Sequence, residues 1–198
     1  MRFSNFTRRR VNYKKIYSLA NELLATSHVI TDFPFSISKF IKEQSDIKLC
    51  TFQKAKEKWG ISIPMFGSES AVIQEYQGMN IIFYNQDEPD YRIRFSGMHE
   101  FGHKVFNHEM NLSKDDPLYQ LQETEANCFA AQVLMPEQII RECQINRYKK
   151  ITSDLIIDAF KVSPDAARRR LNTLAKTHEE WRSREERAYD DIILSKFA

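Results

Sequence analysis

The sequence predicts an α+β fold: a small antiparallel sheet packed on a helix that carries His99-Glu100-Phe101-Gly102-His103, followed by a helical C-terminal region. Three observations lead there. Apolar residues recur at helical spacing from Tyr13 to Ala25, at Ala126, Phe129, Ala130, Val133 and Leu134, and again from Ile151 to Ala175. Two runs rich in strand formers, Ala71 to Tyr76 and Met79 to Asn85, flank Gln77-Gly78 as the arms of a hairpin. The 198 residues are 42% hydrophobic, enough for a real core, and the length suits one domain or one with an appendage. The division expected is a catalytic-type unit at 1–148 and a helical region at 149–198.

Taken in order, Ile16, Leu19, Ala20, Leu23 and Leu24 mark a first helix, Ile37 to Glu43 a second, and Ile47 to Thr51 a strand. The second hairpin arm, Ile81-Ile82-Phe83-Tyr84, is read as an edge suited to receive an extended peptide. Gln86 to Asp90 is a polar loop, and a helix follows from Arg92 to about Asn107. Met110 to Leu118 is a loop containing Pro117, and the next helix stops at Leu134-Met135-Pro136, where proline opens another. Ile151 to Ala175 divides into two short helices at Lys161-Val162-Ser163-Pro164, with Ser163 as cap. From His178 to Arg187 the charge density suits a solvated helix, and Ile192, Ile193, Leu194 and Phe197 form an apolar end.

His99 and His103 stand at i and i+4, hence on one helix face, where they can share a metal ion while Glu100 leans over it from about 100° around. This is the H-E-x-x-H pattern of zinc hydrolases, with the glutamate as general base. A hydrolytic zinc site needs a third protein ligand and an open position. Glu123 can supply the ligand, and Asn127, four residues on, can steady a ligating group. Glu125 on the same helix is the alternative third ligand. Gly102 inside the helix costs about 1 kcal/mol relative to alanine, which asks for a packing reason.

Arg94-Phe95 leading into the motif, Glu123-x-Glu125-Ala126-Asn127-x-Phe129-Ala130-Ala131, and Leu134-Met135-Pro136 together resemble the ImmA/IrrE family of metallopeptidases, within the gluzincin group. The resemblance runs from about Met79 to Leu174. Ser96-Gly97-Met98 departs from the family's usual step before the motif. The resemblance implies a zincin-like domain, Zn2+ held by His99, His103 and Glu123, and Glu100 as the catalytic carboxylate. It further implies a helix-turn-helix repressor as protein substrate, in a phage, mobile element or stress locus.

Zinc in such a site brings the pKa of water toward about 7, and Glu100 would take the proton as water attacks the scissile carbonyl. The developing oxyanion needs a donor, for which His108, Tyr84, Tyr91 and Tyr119 are candidates. His108 either faces the cleft or caps the helix C-terminus.

A net charge of +2 makes no demand for nucleic acid or membrane. Arg168, Arg169 and Arg170 on the helical pair of 151–175 offer weak grounds for DNA contact, because consecutive positions point in three directions. Cys50, Cys128 and Cys143 are odd in number and unpaired in spacing, which suits a reducing compartment. Arg2, Arg8, Arg9 and Arg10 precede no apolar run of signal length, so a cytoplasmic protein is expected. The expected function is site-specific cleavage of a repressor; the alternative is an antirepressor that binds protein or DNA without cutting.

Overall fold

The computed structural model describes residues 10–110, 112–147, 150–174 and 184–196. Arg2, Arg8 and Arg9, the charged stretch through Glu179, Glu180 and Arg182, and Phe197 lie outside the described residues. The fold is α+β and mostly helical around a three-stranded sheet.

Helix α1 (Tyr13–Thr26) starts where the Asn12 side chain accepts the Lys15 N–H, and it buries Ile16, Ala20 and Leu24 at helical spacing. Helix α2 (Ile37–Gln44) buries Ile37, Phe40 and Ile41. Strand β1 (Lys48–Thr51) leads directly into helix α3 (Phe52–Trp59), capped by the Thr51 side chain and closed by left-handed Gly60. The sequence reading missed α3, whose lysines and glutamate at Lys54, Lys56, Glu57 and Lys58 dilute the apolar period to Phe52 and Ala55.

Strands β2 (Ala71–Tyr76) and β3 (Met79–Tyr84) form the hairpin, with Gln77 and Gly78 both at positive φ as a two-residue turn of this hand requires. The strand order is β1-β3-β2, with β3 antiparallel to β2 but parallel to β1, so the sheet is mixed where a purely antiparallel one was expected. The intervening α3 is what allows it, since a parallel return needs a crossover. A second consequence follows. Strand β3 is central, buried at Ile81, Ile82 and Phe83, and the edges belong to β1 and β2, of which β2 lies beside α4.

Helix α4 (Asp90–Val105) and helix α5 (Pro117–Leu134) pack together under the sheet. Their closeness rests on Gly102, where an added Cβ would lie 3.1 Å from Phe129 Cδ1 and 3.4 Å from Ala126 Cα. After α5 come α6 (Glu137–Arg147), α7 (Ser153–Phe160), α8 (Pro164–Leu174) and α9 (Arg184–Ser195). Ser163 caps α8 by accepting the Ala166 N–H at 3.1 Å.

One buried cluster joins Ile16, Leu24, Phe40, Phe101 and Phe129 to Ile156, Phe160, Ala167 and Leu174 of the helical pair and to Ile193 of α9. The apolar end of the chain thus docks on the body through Ile193, and Lys196 donates to the carbonyls of Leu24 (2.9 Å), Ala25 and Ser27 at the end of α1. A smaller cluster of Cys50, Phe52, Phe66, Ile81 and Phe83 fills the other side of the sheet. No described helix is long and apolar enough to cross a membrane.

Candidate metal centre

The site is made where α4 crosses α5 beneath the free edge of β2. His99 and His103 project from one face of α4, and Glu123 meets them from α5, in a cleft of about 730 Å³. The Nε2 atoms of the two histidines lie 2.9 Å apart, and Glu123 carboxylate oxygens lie 3.3 Å from His103 Nε2 and 3.5 Å from His99 Nε2. Ligands at 2.0–2.1 Å from a tetrahedral zinc stand about 3.3–3.4 Å from one another, so these three donors already have the size of one face of that tetrahedron.

The hydrogen bonds behind the donors assign their protons. His99 Nδ1 is 3.1 Å from Asn127 Oδ1, an acceptor, so Nδ1 carries the hydrogen and Nε2 the lone pair. His103 Nδ1 is 3.0 Å from His108 Nδ1, and His108 Nε2 is 3.2 Å from Glu125 Oε2. With His108 donating to Glu125, its Nδ1 is left to accept from His103, whose Nε2 is then also bare. In this tautomer set two imidazole lone pairs and a carboxylate converge without a proton among them. Such a convergence is repulsive alone and fits a divalent cation. The donor set therefore fits zinc.

Burial, reinforced by the neighbouring His103, holds the His99 imidazole down to about 4, so it is neutral at pH 7 as a ligand must be. Burial likewise lowers His108, whose side chain is 4% exposed. Glu123 goes the other way: its 3.3 Å contact with His103 Nε2 outweighs burial and keeps its carboxyl below the usual range, with Tyr119 as a further donor.

Glu100, on the neighbouring face, accepts the Ile73 N–H at 2.9 Å. That bond identifies the register: Ile73 faces away from β3, as Ala71 and Glu75 then must, while Ser70 bonds Asn85 across the hairpin at 2.8 Å. Burial raises the Glu100 carboxyl to about 7, partly offset by the charge of His103. A carboxylate poised near neutrality beside a metal cradle has the properties of a general base.

The structure separates the other candidates. Glu125 stands outside the donor cluster and holds His108, while its Oε1 accepts the Asn12 N–H at 3.4 Å. His108 neither faces the cleft nor serves as a simple helix cap; it stands behind His103 as a strut. Tyr91 lines a different groove, Tyr84 lies in β3 paired with Ala71, and Tyr119 lines the metal cleft. Sequence reading missed the Ile73 N–H, because a backbone donor leaves no residue signature. Arg94, part of the motif's approach, donates to the carbonyls of Phe160 (2.8 Å) and Lys161 (3.2 Å), fastening α4 to the end of α7. Arg170 is 2% exposed and bonds Met135 O, Tyr17 Oη and Gln132 Oε1, so one of the three clustered arginines is part of the core.

A half-buried His-His-Glu cluster on crossed helices, with a carboxylate between the histidines and a strand edge overhead, is compatible with a metallopeptidase-type centre. The chain matches the model of the IrrE N-terminal-like domain, Peptidase_M78, over residues 43–172, and it belongs to that metallopeptidase family. The matched segment contains the sheet, α4 and α5 entire, and thus every donor of the cluster. No curated protein matches the chain.

Proposed function

We propose that this protein is a zinc-dependent endopeptidase that cuts a helix-turn-helix transcriptional repressor at a defined bond, in the cytoplasm. The observation that carries the peptidase reading is the convergence of His99, His103 and Glu123 beside Glu100, which is held against the β2 edge. Zinc, when bound, supplies Lewis-acid polarisation of the scissile carbonyl and a water of lowered pKa. His99, His103 and Glu123 would hold the ion, and Asn127 and His108 would keep both imidazoles turned to it. Glu100 accepts the proton of the attacking water at its carboxylate and returns it to the leaving amine.

The free edge of β2 supports an extended substrate, because the N–H and C=O of Ala71 face the same side as the Ile73 N–H. Tyr119, on the cleft wall beside Glu123, is the candidate donor to the oxyanion. A repressor as substrate is what the family resemblance implies, and three free cysteines suit a reducing compartment.

The test is intact-mass analysis of the helix-turn-helix repressor encoded beside this chain's gene, after incubation with zinc-loaded wild type and with Glu100→Ala. Two fragments summing to the repressor plus one water, with wild type alone, are expected. Intact repressor held in a complex by both proteins would replace this reading with that of a non-cleaving antirepressor.

A further inference from the structure

A second groove, of about 1190 Å³, lies between α1, α4, α5 and α8 and is larger than the metal cleft. Phe95 and Asn127 line both, so the two spaces meet one turn away from His99 and Glu123. Their charges are opposite. The metal cleft is lined by Glu69, Glu100, Glu109 and Glu123 with Lys114, whereas the groove presents Arg92, Arg168 and Arg169 against a single acidic lining residue, Asp165, with Arg170 buried behind them. Arg168 is spoken for by Asp165 and Arg92 by Glu88 at 3.0 Å, but Arg169 is exposed and makes no ion pair among the described residues. Tyr13 and Tyr91, 46% and 41% exposed, add aromatic faces to the groove.

We propose that this groove receives an acidic segment of the same polypeptide whose bond lies over the metal cleft, which makes it a specificity subsite for acidic residues. The identity of the occupant as substrate rests on the peptidase reading; the preference for acidic chain rests on the groove's own charge. Helical rise sets the spacing. From His99 to Arg92 along α4 is about 10 Å, which an extended chain covers in about three residues, so the acidic residues fall roughly three to five positions from the cut bond. A concave, tyrosine-lined recess fits one extended chain. Arg170, the third of the run, is buried and withdrawn from any flat surface that duplex DNA could meet.

The experiment uses the full chain as zinc-loaded Glu100→Gln, so that bound peptide stays whole. Fluorescein-labelled decapeptides share a central leucine and differ in a pair of Asp, Asn or Lys four residues to either side of it; fluorescence anisotropy reads the binding. The Asp peptide is expected to bind at least tenfold tighter than the Lys peptide, less so at high salt, and the added Arg168→Glu and Arg169→Glu changes should reverse the order. Equal affinities, or an order unchanged by the charge reversal, would overturn the proposal. If wild type leaves the repressor intact while the Asp preference and its reversal hold, the peptidase reading falls and the arginine-lined groove stands as a site for acidic chain.

Discussion

His103 and His108 face each other Nδ1 to Nδ1 at 3.0 Å, and that contact sets which nitrogen of His103 is offered to a metal. The chain of bonds continues from His108 to Glu125 and from Glu125 to the Asn12 N–H at the start of α1. A candidate metal ligand is thereby positioned through a chain of contacts that reaches the start of α1.

His108→Ala removes this orientation without touching a ligand. Loss of such an outer partner typically costs 10–100-fold in metal affinity. Competition with a chromophoric zinc chelator should show a drop of that size, with a smaller one for Glu125→Gln. Wild-type affinity in both variants would mean that His103 is held by packing alone.

The metal-free protein should show an opposed pair of titrations. Burial raises Glu100 from 4.5 to about 7, and burial with the charge of His103 lowers His99 from 6.5 to about 4. Between pH 4.5 and 6.5 the folded state keeps a proton on Glu100 that the unfolded chain has lost, so this group makes stability fall as pH rises. His99 does the reverse over the same window, and the two slopes nearly cancel. Glu100→Gln removes one of them. Relative to wild type, the chelator-treated variant should gain about 2–3 kcal/mol between pH 4.5 and 6.5, measured by urea unfolding at three pH values. Parallel curves would show that Glu100 titrates normally.

Gly102→Val tests the close approach of α4 and α5. Its Cβ would already crowd Phe129 and the Ala126 backbone, and its γ-methyls more so. Overpacking of this kind costs about 1–3 kcal/mol, and the shift should part His103 from Glu123 and weaken zinc binding in the same variant. Unchanged stability would contradict the packing role of this glycine.

The residues that carry strong local chemistry were legible before any coordinates. A histidine pair at i, i+4 and a helix break at Pro136 are decided within a few residues, and Gly102 in a helix already pointed to a close neighbour. What was not legible depends on partners far away in the chain. Whether β1 runs parallel to β3 is decided by the crossover through α3, a helix with only two buried residues, Phe52 and Ala55. The free edge passed from β3 to β2 for the same reason. His108 and Arg170 look like surface residues in the sequence, yet their burial is fixed by Glu125 and by Gln132, Met135 and Tyr17. A side chain's role in a network cannot be read from its own neighbourhood when each of its partners lies on another element.

The most direct test is a zinc titration of chelator-stripped protein, followed by the appearance of repressor fragments. Cleavage should rise from zero and break at one zinc per chain. Glu100→Gln should take up the same single equivalent while cutting at least a hundredfold more slowly, the scale of a lost general base. Cleavage by the stripped protein, or one bound zinc with no fragments from wild type, would contradict the account.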